Sequence, residues 1–200
     1  MTTAETKKRT GRQIEVLPRG TISKNSDPAK FEIEQKTDGE FKYKLKKKRA
    51  VKGTSDYINY DDAMRVGSDI LWHGRQPQVG FYIILSVNIG RRVSDVLKFK
   101  HSDFIGRQTG DVLQIREMKT GKLVDITLNA AVIDAYQYLT RRMKCKPNEY
   151  IFLSQKGGVF VTTTINRMLK RVFKGYAPVV SSHSLRKSFG RHVYNKLGQN

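Results

Sequence analysis

From Asn59 onward the apolar residues fall into runs whose period alternates between that of a helix and that of a strand. Ala63, Val66, Ile70 and Leu71 recur at helical spacing behind Asn59, with Asp61 and Asp62 in the first turn, so the run predicts a helix capped by Asn59 and closed at Trp72-His73-Gly74. Gln78 to Ile89 is almost continuously apolar through Phe81-Tyr82-Ile83-Ile84-Leu85. It predicts a buried central helix, although its middle could pass for a strand. Gly90 frees the backbone for a change of direction, and Val93, Val96 and Leu97 resume helical spacing. After Asp103 the period becomes two. Val112 to Met118 and Leu123 to Leu128 flank Lys119-Thr120-Gly121-Lys122, the pattern of a hairpin with lysines at its tip. Ala130 to Met143 predicts an amphipathic helix buried through Val132, Ile133, Tyr136 and Leu139. Tyr150 to Leu153 reads as a short buried segment leading to a turn at Gly157-Gly158, Thr162 to Phe173 as a helix, and Pro178 to Ser182 as a loop. In the last helix Leu185, Phe189, Val193 and Leu197 form one stripe. No internal repeat or long low-complexity segment is present.

Residues 1 to 55 differ. They are polar, open with Lys7-Lys8-Arg9 and end with Lys46-Lys47-Lys48-Arg49. Phe31-Glu32-Ile33-Glu34 and Phe41-Lys42-Tyr43-Lys44-Leu45 alternate on either side of Asp38-Gly39, which predicts a β-hairpin. Its apolar supply is too thin for an independent core, so the expectation is a basic arm over 1–55 beside a main domain over 56–200. The lysine run would be either a strap on phosphates or a disordered basic tail. The fold class expected is α+β, mainly α, with a small β-hairpin sheet.

Charge narrows the partners. Lys and Arg number 38 against 18 acids, for a net charge of +20, and clustered cations in such excess favour a polyanion. Phe81 to Val87 is the best apolar span and is far too short to cross a bilayer. The N-terminal lysines have no apolar run behind them, so no signal peptide is read. Cys145 is the single cysteine, which excludes an intrachain disulfide and a multi-cysteine metal site and fits a reducing cytoplasm. His73, His101, His183 and His192 show no paired metal spacing, and no carboxylate cluster suggests a metal-dependent nuclease. From composition alone the expectation is a cytoplasmic protein with a polyanionic partner and no metal, cofactor or membrane; the plainer reading is a ribosomal-type or merely soluble basic protein.

Three places carry candidate chemistry. His183 and Arg186, at i and i+3, share a helix face; Arg presents paired donors that match phosphate oxygens, and His moves protons near neutral pH. Arg91 and Arg92 are adjacent beside a buried helix, which suits a buried anion; the plainer alternative is a surface Arg91 and an Arg92–Asp95 salt bridge. Lys119 and Lys122 stand on a hairpin tip that can reach an adjacent cleft, or are simply solvated. Arg167, Lys170 and Arg171 form a basic face that can line a DNA backbone, and Lys187 adds a cation beside Arg186.

The ordered set Gly90-x-Arg92-x-Ser94-Asp95, Lys119-Thr120-Gly121-Lys122 in a hairpin, and His183-x-Leu185-Arg186 resembles the catalytic domain of the tyrosine recombinases, the phage integrase family. The resemblance runs from about Asn59 to the end of the chain. It implies the DNA breaking–rejoining fold and metal-independent phosphoryl transfer, in which a tyrosine attacks a DNA phosphodiester and leaves a 3′-phosphotyrosyl link. It implies that Arg92 and Arg186 hold the non-bridging oxygens and that Lys119 protonates the departing 5′-oxygen. His183 would assist proton movement or hydrogen-bond the phosphate, and Asp95 would orient an arginine. It also implies double-stranded DNA as partner, a nucleoid-associated location and a tetramer on DNA. Two departures stand out. The family's further His or Trp and its nucleophilic Tyr lie beyond the His-x-x-Arg helix, whereas here the only tyrosine after Arg186 is Tyr194, on that same helix. Residues 1–55 are too short and polar for the family's helical core-binding domain. The expectation is a C-terminally incomplete catalytic domain, inactive and monomeric by itself. The competing readings are a non-catalytic DNA-binding or regulatory derivative, a type IB topoisomerase, and, as a poor fourth, an RNA-binding or ribosomal protein.

Overall fold

The computed structural model describes residues 31–35, 41–45 and 54–198. The chain divides into two units, Met1–Lys52 and Gly53–Asn200. In the first, β1 (Phe31–Gln35) and β2 (Phe41–Leu45) pair antiparallel with Ile33 opposite Tyr43. The Asp38-Gly39 turn and the two basic runs, Lys7 to Arg9 and Lys46 to Arg49, lie outside the described residues.

The second unit is mainly helical. Its elements are α1 (Tyr60–His73), α2 (Pro77–Ile89), α3 (Val93–Val96), β3 (Val112–Arg116), β4 (Leu123–Thr127), α4 (Ala130–Arg142), α5 (Thr162–Val172) and α6 (Ser182–Leu197). The Asn59 side chain caps α1, accepting from the N–H groups of Asp61 and Asp62 at 2.8 and 3.3 Å. α2 is the centre: every residue of it except Asn88 is buried, and it packs against α1, α4 and α6. The continuous apolar run is therefore a helix and not a strand. A helix buried all round needs no polar stripe. Phe81 anchors an aromatic cluster with Phe104, Tyr136 and Phe152 at centroid distances of 5.6, 5.7 and 6.0 Å. Each such burial contributes about 1.5–3 kcal/mol.

Where α1 meets α2 the backbones come close. A Cβ on Gly80 would lie 2.5 Å from the Gly67 carbonyl oxygen and 2.4 Å from the Leu71 nitrogen. The buried side of α1 is accordingly Ala63, Gly67 and Leu71, while Val66 and Ile70 are only partly covered. β3 and β4 form the expected two-stranded sheet, Leu113 opposite Ile126. Their strands stop at Arg116 and Leu123, so the turn is Glu117–Lys122, longer than the pattern predicted, and Met118 is exposed. Tyr150 to Leu153 is not a strand: it makes single bridges, Lys100 to Tyr150 and Leu153 to Val159, with Ile151 and Phe152 buried and Tyr150 exposed.

α6 departs most from its predicted stripe. Leu185 is fully buried, but Leu197 is 71% exposed. The rest of the buried face is made of Ser182, Ser184 and Ser188. The Ser188 hydroxyl donates to the Ser184 carbonyl and accepts the Ile58 N–H, both at 2.9 Å. Ser184 Oγ accepts the Ser181 N–H and closes a capping box. Small serines let the helix lie close to the segment 54–59, where Asp56 N–H also donates to the Val179 carbonyl.

Candidate active site

Three backbone features bring the predicted residues into one neighbourhood. Gly90 caps α2 in the left-handed region, at φ 60° and ψ 25°, and turns the chain sharply into Arg91 and Arg92. A Cβ on Gly90 would lie 2.2 Å from Phe189 Cδ1, so the ring of Phe189 rests on the bare glycine. Phe189 follows Arg186 by three residues on α6, which places the His183–Arg186 turn beside the Arg91–Arg92 corner. The third feature is the β3–β4 turn. The Met118 N–H donates to Asp95 Oδ1 at 3.0 Å, tying the turn to α3.

Glu117 joins the two sides. Its Oε1 lies 3.0 Å from Arg92 Nη1 and 3.5 Å from Arg91 Nη1. Its Oε2 accepts the Thr120 hydroxyl at 2.7 Å. Its N–H donates to the Lys122 carbonyl, and its own carbonyl accepts the Gly121 N–H, both at 2.9 Å. The Thr120 hydroxyl, followed by the Arg92 and Arg91 guanidiniums, holds the Glu117 carboxyl below its ordinary range. Gly121 sits at φ 69°, which the tight turn requires.

The arginine partner is thus Glu117 and not Asp95. The expected Arg92–Asp95 ion pair does not form among the described residues: Arg92 turns to Glu117, and one Asp95 oxygen accepts the Met118 amide. Asp95 is buried and supports the turn, and its Oδ2 has no hydrogen-bond partner among the described residues; Arg92 Nη1 and Arg91 Nε are buried and likewise lack a well-directed one. Arg91 and Arg92 keep about a quarter of their side-chain surface open, 25% and 26%. Lys119 is exposed on the turn, His183 is exposed in the first turn of α6, and Arg186 is half-buried. Among the described residues Lys119, His183 and Arg186 have no acidic partner. Cations and an imidazole carried by neighbouring segments, with the acids Glu117 and Asp95 buried behind the arginines, can take up an anion.

The remaining predicted cations are placed less centrally. Lys122 ends the same turn and is exposed. Arg167, Lys170 and Arg171 lie exposed on α5, opposite the buried Ile165 and Leu169. α5 is tied to the start of α6 by the Ser182 N–H, which donates to Asn166 Oδ1 at 2.8 Å. Lys187 is already engaged: its Nζ donates to the Ser55 carbonyl at 2.7 Å.

The phage integrase family model matches residues 80–198, more than half of the chain and every one of the motif residues. The chain belongs to that family. It is 34% identical over 111 residues to the TnP I resolvase of Bacillus thuringiensis, covering 54% of this chain and 37% of the relative. Among solved structures it is similar to XerA recombinase, at 24% identity and a TM-score of 0.58 over 77% of this chain and 55% of that one. It is also similar to a lambda integrase dimer bound to a COC′ core site, at 21% identity and a TM-score of 0.53 over 75% and 57%. The chain spans about half the length of these solved relatives and about a third of the resolvase. These likenesses give the fold class as that of the recombinase catalytic domains.

For this member of the phage integrase family, sequence reasoning missed Glu117. It sits in a strand-like alternation where an acid reads as solvent-facing, and only the turn's curl carries it under the arginines. It also missed Ser188, whose hydroxyl reads as surface until Ile58 is seen to donate to it. Among the described residues no group of three His, Cys, Asp or Glu side chains stands close enough to hold a metal ion, and no helix is long and apolar enough to cross a membrane.

Proposed function

We propose that this chain carries the phosphate-holding part of a site-specific DNA recombinase that works by phosphoryl transfer through a 3′-phosphotyrosyl intermediate. The reading is supported by the contacts of the segments that carry these residues: Glu117 with Arg92, the Met118 amide with Asp95, and Phe189 against Gly90. Arg92 and Arg186 hold the non-bridging oxygens of a DNA phosphodiester and meet the charge that develops on the phosphorane. A tyrosine hydroxyl forms the new P–O bond and the P–O5′ bond breaks. Lys119 gives its proton to the departing 5′-oxygen, and His183 hydrogen-bonds the phosphate or relays a proton. A 5′-hydroxyl of another strand reverses the step, so the phosphotyrosyl link keeps the energy of the broken bond. Lys122, Arg167, Lys170, Arg171 and Lys187 add contacts to the DNA backbone.

We place the attacking tyrosine outside residues 54–198. Tyr194 stands on the same helix as Arg186, two turns on, and is 74% exposed. On this reading residues 54–198 bind DNA and do not supply the cutting tyrosine, and the recombinase acts as a tetramer on DNA, in the nucleoid.

The test is strand cleavage of a duplex recovered by binding selection. Arg92→Lys and Arg186→Lys, made in the complete gene product, are expected to abolish cleavage and to leave most of the DNA affinity, since lysine keeps the charge and loses the planar fork. Equal loss of binding and cleavage overturns the catalytic assignment. The place of Tyr194 favours a second reading, a DNA-binding regulator of a recombinase; it holds if the complete product binds one site and leaves its strands intact. Relaxation of supercoiled plasmids of arbitrary sequence would point instead to a type IB topoisomerase.

A further inference from the structure

Glu117 is the acid on which both sides of the candidate site converge, and its placement is costly. The residue is only 8% exposed. A carboxylate taken from water needs partners, and this one finds Arg92, Arg91 and the Thr120 hydroxyl. The same negative charge offsets part of the positive field that a phosphate would meet at the arginines. A site built only for the strongest anion attraction would have no acid there. What the acid supplies is geometry. One oxygen sets one edge of the Arg92 guanidinium and leaves its other donors open. The second oxygen, through Thr120, and the main chain, through Lys122 and Gly121, hold the turn that displays Lys119.

We infer that Glu117 is a positioning residue that couples the arginine corner to the lysine-bearing turn, so that Arg92 and Lys119 reach the same phosphate together. The inference deepens the proposed function and rests on it. Its mechanical link is Thr120, which can be cut alone: Thr120→Val removes the hydroxyl and leaves the Glu117–Arg92 ion pair in place.

The experiment is lysine acylation footprinting of this chain, free and bound to a mixed-sequence duplex at low salt, with each lysine quantified by mass spectrometry. Wild type is expected to show DNA-dependent protection of Lys119. Glu117→Ala and Thr120→Val are expected to lose that protection by about fivefold, the weight of one net hydrogen bond. Protection of Lys170 should stay at wild-type level in both, overall DNA affinity should be unchanged in Thr120→Val, and Glu117→Ala, which removes a negative charge, should bind DNA at least as tightly as wild type. A purely structural defect would instead lower all protections together. Should Glu117→Ala fail to fold, as read by circular dichroism, Thr120→Val decides alone. If wild-type Lys119 is not protected at all, the proposed function falls and the coupling with it. If wild type is protected and the folded variants are protected equally, the coupling alone is overturned.

Discussion

The ring of Phe189 occupies the space that a side chain on Gly90 would need, with only 2.2 Å between Cδ1 and the position of such a Cβ. Gly90 precedes Arg92 by two residues, and Phe189 follows Arg186 by three. This contact therefore ties the segment that carries Arg92 to the helix that carries Arg186. Gly90→Ala meets both a left-handed backbone penalty of about 1–2 kcal/mol and an overpacking penalty of about 1–3 kcal/mol. The variant is expected to lose about 2–5 kcal/mol in urea unfolding. A loss below about 0.5 kcal/mol, the range of an ordinary surface change, would contradict the contact.

Ser188 closes a long-range link, accepting the Ile58 amide across the fold. Ser188→Ala leaves that buried N–H without a partner. The expected cost is about 1–3 kcal/mol in thermal or urea unfolding. Faster hydrogen exchange at the Ile58 amide, with α2 amides unchanged, would locate the effect.

Glu117 titrates below its ordinary value of 4.5 because of Thr120 and the two arginines. The sign follows from linkage: a depressed carboxyl contributes stability that is complete above about pH 4.5 and is lost as the pH falls through its folded value. In that window unfolding takes up a proton at this residue. Glu117→Gln is expected to flatten the acid limb of stability against pH, with one proton fewer taken up on unfolding. An unchanged acid limb would show that the ion pair does not persist in solution.

Under the proposed function, affinity for duplex DNA falls with salt according to the number of phosphates engaged. Lys122→Ala is expected to reduce the slope of log K against log salt by about 0.9, the share of one phosphate contact. Arg65→Ala serves as the control. Arg65 is already paired with Asp62 at 2.8 Å on α1, away from the candidate site, and its removal is expected to leave the slope where it was. A Lys122 variant with the wild-type slope would remove the turn from the DNA interface.

Much of the scaffold was legible because local rules specify it. The Asn59 cap, the helical spacing of Ala63 and Leu71, the two alternating runs around Lys119-Thr120-Gly121-Lys122 and the apolar run of α2 each act within a few residues. Each appears at its predicted place in the chain, although β3 ends at Arg116, two residues short of the pattern. The motifs that hold Arg92, Lys119, His183 and Arg186 were legible as short spacings in a fixed order, and the family they point to is the one whose model matches residues 80–198. Predictions failed where a long-range partner decides the outcome. Leu197 continues an apolar stripe but is 71% exposed among the described residues, whereas Ser184 and Ser188, outside that stripe, are buried. Burial depends on what lies opposite, and hydrophobicity along one helix does not report that.

The sequence by itself determined the helices, the hairpin, the excess of cations and the order of the three motifs, because these follow from backbone propensity, periodicity and charge. Only the tertiary structure decided which groups touch. It set Phe189 against Gly90, Gly67 against Gly80, and Ser188 beneath Ile58. It also gave Arg92 to Glu117, and turned Asp95 to the Met118 amide. The physical reason is the range of the forces involved. A hydrogen bond or an ion pair between residues far apart in the chain exists only after the packed core has brought their segments within about 3 Å, and no local pattern encodes that closure.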